Sequence, residues 1–235
     1  MIPFLAAFFL AAVHVFAGKL RFLDGIPRSV WLSGAGGASV AYVFLHLLPE
    51  LAHGQEALAA SVALEFLEAH VWIVALVGLA VFYGLDTAAR ETEDDTSEAS
   101  SRGVFWLHIA SFGLYNAIIG YLLLHREDPS VTALAIYTSA MALHFVVNDY
   151  GLRQNHPSLY HDIGRWLLGA AVILGCALAT VLQLPEPVVV AMVAFLGGGV
   201  ILNVLKEELP EDRQSRFFPF VVGAVLYAVL LVIAV

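Results

Sequence analysis

The protein has 235 residues, of which 60% are hydrophobic and only 13% are charged. Its mean hydropathy of +0.83 is far above that of soluble proteins, in which about a quarter of the residues are charged. This composition excludes an ordinary soluble domain and predicts a membrane protein in contact with the lipid bilayer. The net charge of −9 comes largely from one acidic stretch, Glu91 to Glu98, so no nucleic-acid partner is expected. A single cysteine, Cys176, excludes an intrachain disulfide.

Eight apolar segments approach or exceed the roughly 17 residues that a helix needs to cross a bilayer. The first is interpreted as a spanning helix and not as a signal peptide, because no cation precedes its apolar run. The sequence therefore predicts an all-α integral membrane protein with eight transmembrane helices. The predicted spans are residues 2–18, 30–48, 70–85, 103–124, 131–150, 163–183, 187–205 and 217–235.

The lysines and arginines are distributed unequally between the two sets of alternating loops. Of the 11 in the chain, only Arg126 lies in the loops that follow spans 2, 4 and 6. Because cytoplasmic loops carry the excess of these residues, both termini are predicted to lie outside. Residues 86–102 then form an acidic, mobile cytoplasmic loop. The short loops favour the cytoplasmic (inner) membrane of a bacterium. A homodimer is possible, and the sequence does not decide the oligomeric state.

Two segments that end in Leu-Pro-Glu align without a gap. Residues 36–50 fall on residues 197–211, with a Gly-Gly pair at the start and an ionisable residue, His46 or Glu207, three positions before the proline. The first copy belongs to span 2 and the second to span 7, which run in opposite directions. An inverted repeat of this kind is typical of secondary transporters. The alternative is that glycine-rich and proline-terminated spans resemble one another by coincidence.

Polar residues inside the predicted spans are candidates for function, because each is costly in hydrocarbon. His144 and Asn148 are four residues apart and share one face of span 5, and Asn116 of span 4 lies at an overlapping depth. Imidazole binds zinc and related divalent ions, whereas amides and carboxylates favour harder ions. Hydrogen bonding between helices is the alternative role. The predicted metal ligands are Asn116, His144, Asn148, Asp149 and His108.

Two further groups of polar residues lie at the ends of spans. At the outer end of span 2, His46, Glu50 and His53 share one helix face and form a candidate entrance for a cation. At the inner end of span 7, Asn203, Glu207 and Glu208 form a candidate exit. The alternative for each group is a solvated helix end, which is the usual role of clustered carboxylates such as those at the exit.

These features resemble the ZIP (Zrt/Irt-like) family of divalent metal transporters over essentially the whole chain. The resemblance is carried by the eight spans, the outward termini and the two segments that end in Leu-Pro-Glu. It implies a 3+2+3 inverted repeat, with metal bound between spans 4 and 5 and moved toward the cytoplasm.

The chain departs from the metal motifs of that family, HNxxDG in span 4 and HExxHE in span 5. Asn116, Gly120 and His144 match these motifs, and Asp149 replaces the final Glu conservatively. The usual two-metal centre cannot form, because other ligand positions are substituted. The substituted positions are Tyr115, Ile119, Phe145 and Asn148.

The leading hypothesis is a transporter, not an enzyme, whose substrate is Zn²⁺ or another divalent metal such as iron or manganese. A second hypothesis keeps the ZIP-like fold for another solute, or for a role without metal transport, because the lost carboxylates would leave a divalent ion poorly compensated. The third is an intramembrane metal-dependent hydrolase in which several histidines and Asp149 activate water. The absence of an HExxH motif weighs against it.

Overall fold

The computed structural model describes residues 1–19, 30–59, 70–93, 98–126, 128–208 and 216–234. Within these ranges all regular structure is helical and no strand occurs. The helical elements in chain order are α1 (Ile2–Ala17), α2 (Val30–Tyr42), π1 (Val43–Leu47), α3 (Leu48–Ala59), α4 (His70–Glu93), α5 (Glu98–Leu122), α6 (Val131–Asn155), α7 (Pro157–Leu159), π2 (Tyr160–Gly164), α8 (Arg165–Leu178), α9 (Glu186–Asn203), π3 (Val204–Glu208) and α10 (Phe217–Ala234).

The apolar helices confirm the all-helical class and agree with a multi-pass membrane protein. By length and composition, five of the described helical stretches are long and apolar enough to cross a membrane, and three shorter apolar helices accompany them. Each overlaps one predicted span. The longer stretches are Ser33–Gln55, Arg102–Leu122, Val131–Arg153, Pro157–Leu178 and Glu186–Lys206, and the shorter are Ile2–Ala17, Val71–Leu85 and Phe217–Ile233.

Several helix ends differ from the sequence prediction. Residues 86–93 and 98–102, which were predicted as a loop, are helical continuations of α4 and α5. Ala, Arg and Glu are frequent there and favour helix even where the chain is too polar for a membrane span. The sixth helical stretch begins at Pro157 and ends at Leu178, earlier than predicted at both ends.

The start of α6 shows how the local sequence fixes a helix end. The Ser130 hydroxyl accepts a hydrogen bond from the backbone N–H of Ala133 at 3.1 Å, which satisfies one donor of the first turn. Asp128 in turn accepts hydrogen bonds from the backbone N–H and the hydroxyl of Ser130. These bonds hold the pKa of the Asp128 carboxyl below its usual range.

The chain divides into two compact units. Unit 1 contains Met1–Arg21 and Phe82–Gln183, and unit 2 contains Phe22–Val81 and Leu184–Val235. In unit 1, α8 packs against both α1 and α5, and α6 packs against α1. In unit 2, α2 packs against α10 and α3 packs against α9.

Two close helix crossings in unit 2 depend on glycines that are equivalent in the aligned repeat. A Cβ atom at Gly37 of α2 would overlap the backbone carbonyl of Phe220 in α10. One at Gly198 of α9 would overlap the carbonyl of Ala75 in α4. Small residues let helix backbones meet where the surrounding solvent supplies no hydrophobic drive for association. At each crossing the facing helix also contributes a glycine. Gly223 of α10 lies against the backbone of Gly34, and Gly78 of α4 lies against the backbone of Phe195.

The π-helical segments π1 and π3 also occupy aligned positions of the repeat. Val43 aligns with Val204, and both segments run for five residues. A π-turn inserts one extra residue into a helix; such turns are rare and frequently lie at functional sites. Another π-helical segment of the described residues, π2, lies in unit 1 and has no partner in this alignment. Helices α2 and α9 therefore share both a glycine contact and a register shift at equivalent positions.

Alanine substitution at the two crossings should destabilise the protein. Gly37→Ala or Gly198→Ala forces the backbones apart and should cost about 1–3 kcal/mol, the usual range for overpacking. Thermal unfolding in detergent micelles, followed by circular dichroism, should show a lower midpoint. Gly84→Ala and Gly113→Ala are matched controls, because a Cβ there meets nothing within 4 Å. Equal midpoints in all four variants would show that the close approach is unimportant.

Candidate functional site

A polar cluster lies inside unit 1, on helices that are otherwise apolar. His14 of α1, Asn116 of α5 and His144 and Asp149 of α6 are each at most 5% exposed. A buried carboxylate or imidazole is stable only when it is paired or hydrogen-bonded. The contacts of these four side chains therefore define the candidate site.

The centre of the cluster is a hydrogen-bonded pair between His14 and Asp149. The Nδ1 atom of His14 lies 3.0 Å from Oδ1 and 2.9 Å from Oδ2 of Asp149. Since an ionised carboxylate only accepts, His14 donates its Nδ1–H to it. On the other side of the ring, Nε2 of His14 lies 2.9 Å from Nδ2 of Asn116. In this arrangement a neutral His14 accepts a hydrogen bond from the Asn116 amide.

The Asn116 amide has a second, longer contact. Its Nδ2 atom lies 3.4 Å from the backbone carbonyl oxygen of Leu168 in α8. The chain Asp149, His14, Asn116 and Leu168 thus joins helices α6, α1, α5 and α8. Four helices contribute to one line of polar contacts.

The C-terminal end of α1 is held by side chains from its neighbours, which fixes the position of His14. The hydroxyl of Tyr160 donates to the backbone carbonyl of His14 at 3.2 Å. Arg165 and Arg153 each donate from Nη1, at 3.3 Å, to the carbonyls of Val15 and Gly18. The last carbonyls of a helix have no partner within the helix, so these cations satisfy them and complement the helix dipole.

The second pair of the cluster lies along α6. Nδ2 of Asn148 is 3.0 Å from Nε2 of His144, one helical turn away. The ring of Tyr115 lies 5.5 Å from that of His144 and meets Phe82 edge to face at 5.6 Å. The Tyr115 hydroxyl is buried, and no hydrogen-bond partner for it occurs among the described residues.

The structure brings four of the five predicted metal ligands into two pairs. Asn116 and Asp149 both contact His14, on opposite sides of its ring, and His144 contacts Asn148. His108 is two helical turns from Asn116, about 12 Å along α5. Its ring lies 5.8 Å from that of His156 and 6.2 Å from that of Phe112. His108 therefore belongs to an aromatic cluster farther along α5.

No group of three or more His, Cys, Asp or Glu side chains is placed to hold a metal ion in the part of the chain that the structure describes. The physical reason at the predicted site is that Asp149 and Asn116 are both turned toward His14. The predicted ligands are close to one another, but two of them contact an imidazole that the sequence prediction omitted.

His14 is the residue that sequence reasoning missed. It lies near the end of the first apolar run, four residues before Gly18, and was treated as part of an ordinary spanning helix. The available signal was an ionisable side chain inside an apolar run, which is a functional candidate by default.

The predicted entrance and exit residues both belong to unit 2. His46 lies in π1, with Nε2 3.9 Å from Oε2 of Glu50, and both side chains are partly exposed. His53 is exposed on α3. Asn203 ends α9. The backbone of Glu207 and Glu208 forms part of π3, whereas their side chains lie outside the described part of the chain.

Comparison of the chain with protein-family models, with curated proteins and with solved structures gives no match.

The pair between His14 and Asp149 should make a coupled contribution to stability. His14→Leu or Asp149→Leu removes one member of the buried pair and leaves the other without that partner, and we expect each to cost about 3–5 kcal/mol. The double variant removes both groups and should be much more stable than the sum of the single effects predicts.

Reversible unfolding in mixed micelles measures this double-mutant cycle. Ser139→Ala is the control on α6, because its hydroxyl donates to the carbonyl of Ile136 in the same helix. Additive effects of the two leucine substitutions would contradict an energetic coupling between His14 and Asp149.

Proposed function

We propose that this chain is a ZIP-like membrane transporter that moves a divalent metal cation toward the cytoplasm. The observation that carries the proposal is the buried cluster of two imidazoles, two amides and one carboxylate on α1, α5 and α6. Such groups are expensive inside apolar helices and are typical of ion pathways in membrane proteins. Unit 1 thus supplies the cargo site.

The proposed architecture is a 3+2+3 inverted repeat of eight transmembrane helices. It is supported by the equivalent glycine contacts at Gly37 and Gly198 and by the aligned segments π1 and π3. Helices 1–3 and 6–8 form the two repeats, and helices 4 and 5 lie between them in the chain. In many transporters with inverted repeats, the substrate site lies near the middle of the membrane.

The distribution of positive charge supports the direction of insertion. With Arg126 as the one cation of the outer loops, both termini lie outside and the inner loops carry the other lysines and arginines. A bacterial cytoplasmic membrane suits this compact chain. Transport toward the cytoplasm follows from the resemblance to the ZIP family.

The cargo chemistry follows from the donor atoms of the cluster. Imidazole suits zinc, iron and nickel, whereas amide and carboxylate oxygens suit manganese and other hard ions. Zinc, iron and manganese are therefore the substrates to test first. Asp149 is the only carboxylate of the cluster, so the site compensates one of the two positive charges of a divalent ion.

Uptake by reconstituted vesicles tests the proposal. The native protein should accumulate Zn²⁺, Fe²⁺, Mn²⁺ or Co²⁺ above empty vesicles, and His144→Ala should lower the initial rate at least tenfold. His125→Ala is the matched control, because this half-buried histidine lies after α5 and outside the cluster. Native vesicles that carry none of the four ions above the background would refute metal transport.

A second candidate is a ZIP-like protein that carries another solute or no longer carries metal. It is favoured by the observation that Asp149 and Asn116 contact His14, and that Asn148 contacts His144. These internal contacts satisfy most of the polar groups without an ion.

Elemental analysis separates the two candidates. Protein purified without chelator, then incubated with an equimolar mixture of zinc, iron and manganese salts and desalted, should retain about one metal ion per chain if metal is the cargo. Less than about a tenth of an equivalent, with the fold intact by circular dichroism, would favour the second candidate.

A further inference from the structure

We propose that unit 1 binds the headgroup of an anionic phospholipid, such as phosphatidylglycerol, at the end where α1 terminates. The site, here called the basic rim, consists of Lys19, Arg153 and Arg165 together with the aromatic rings beside them. The inference goes beyond the proposed function, because it concerns the lipid around the protein and does not depend on what the protein carries.

The three cations of the basic rim lie at one end of unit 1, although they are far apart in the sequence. Lys19 follows α1, Arg153 lies in the last turn of α6 and Arg165 begins α8. Arg153 donates to the backbone carbonyl of Gly18 and Arg165 to that of Val15, each at 3.3 Å. Both guanidinium groups are therefore held within the last turn of α1, beside Lys19.

The positive charge of the basic rim is only partly compensated. Residues 14–19 and 149–166, which form these helix ends, contain two carboxylates. Asp149 is buried against His14, and Asp162 is exposed. The C-terminal end of α1 carries about half a negative charge, which offsets a further part. The three cations exceed the negative charge that reaches the surface here, so the basic rim attracts anions.

Each cation of the basic rim also lies over an aromatic ring. The distances from the charged group to the ring centroid are 4.9 Å for Lys19 and Phe16, 5.6 Å for Arg153 and Tyr150, and 5.2 Å for Arg165 and Trp166. Phe16 and Trp166 are 51% and 54% exposed. Tryptophan and tyrosine concentrate at the level of the lipid headgroups, where one end of the ring is apolar and the other is wet. This composition places the basic rim at the depth of the lipid phosphates.

The chemistry of the basic rim favours a lipid headgroup over a soluble anion. Guanidinium groups bind phosphate oxygens through paired N–H donors, and the bond to a helix carbonyl uses one of the five donors of each arginine. The exposed rings of Phe16 and Trp166 offer apolar surface to the acyl chains, which a free phosphate ion lacks. Basic sites beside spanning helices on the cytoplasmic side are typical binding sites for anionic headgroups.

Fluorescence quenching at Trp166 tests the inference in a lipid bilayer. The substitutions Trp31→Phe, Trp72→Phe and Trp106→Phe leave Trp166 as the single tryptophan of the full-length chain. This protein is reconstituted into bilayers of phosphatidylcholine that contain increasing amounts of brominated phosphatidylglycerol or, in parallel, brominated phosphatidylcholine. Because bromine quenches tryptophan on contact, the two quenching curves give the relative affinity of the basic rim for the two lipids.

We expect phosphatidylglycerol to bind at least about threefold more strongly than phosphatidylcholine, since each cation near an anionic surface contributes up to roughly fivefold. About 1 M NaCl should reduce this preference toward one, because salt screens exposed charges.

Charge variants assign the preference to the basic rim. Arg153→Gln/Arg165→Gln should bring the preference close to one, whereas Arg153→Lys/Arg165→Lys keeps both charges and should retain most of it. Lys19→Gln alters an exposed side chain and should halve the preference even if the double glutamine variant fails to fold. Arg126→Gln is the matched control, because Arg126 precedes α6 whereas Arg153 lies in its last turn, and this helix of 25 residues is about 37 Å long.

The outcomes that would overturn the inference are distinct. Equal quenching by the two lipids in the otherwise native chain would show that no anionic lipid is selected. A preference that survives in Lys19→Gln, or that falls equally in Arg126→Gln, would show that it does not arise at the basic rim. Loss of the preference in about 20 mM inorganic phosphate at constant ionic strength would identify a site for free phosphate instead. None of these results would bear on metal transport, which the uptake experiment tests separately.

Discussion

The buried pair between His14 of α1 and Asp149 of α6 restricts how the helices of unit 1 can be arranged. Removing a carboxylate from water costs several kcal/mol, and the cost is recovered only if hydrogen-bond donors meet it inside the protein. Apolar side chains can slide past one another with little change in energy, but this pair forms at one position of α1 along α6. Tyr160 and two arginines then bind carbonyls at the C-terminal end of α1. Polar contacts thus fix a register that apolar packing leaves undetermined.

The close helix crossings of unit 2 concern a different question, which is what holds apolar helices together in lipid. Where lipid tails are as apolar as leucine, burial of leucine gives helices little reason to associate. Glycines such as Gly37 and Gly198 let two backbones approach, and the gain in dispersion contacts replaces the hydrophobic drive. The π-segments that follow insert an extra residue, so the face presented after π1 differs from the face presented before it. His46 and the backbone of Glu207 lie in these segments, at equivalent positions of the repeat.

The sequence predicted the fold class and the approximate spans, because the length and polarity of an apolar run are local properties. It did not predict where helices continue beyond the apolar run, since α4 and α5 extend into polar residues that are good helix formers. The π-segments were not predicted either, because the rotation caused by one inserted residue cannot be detected in spans whose residues are nearly all apolar.

The candidate site was only partly predictable, for a physical reason. The spacing of His144 and Asn148 on one helix could be recognised from the sequence, and in the structure Nδ2 of Asn148 lies 3.0 Å from Nε2 of His144. The contact of His14 with Asp149 joins residues that are 135 positions apart. The spacing of residues within one helix does not reveal which other helix packs against it. A list of polar residues in the spans should therefore include every ionisable side chain, even one near the end of an apolar run.

The charge of the cluster bears on how tightly the proposed transporter could hold a divalent cation. A divalent ion beside one carboxylate leaves an uncompensated positive charge, and the penalty for that charge grows as water is excluded. A resident metal site avoids this by adding anionic ligands, whereas a carrier has to release its cargo on the other side. Asp149 is the only carboxylate of the cluster, and both of its oxygens already lie within hydrogen-bond distance of His14, so the cluster compensates at most one of the two charges of a divalent ion. If the proposed function is right, the cluster would bind a divalent ion weakly, which is what release on the other side of the membrane requires.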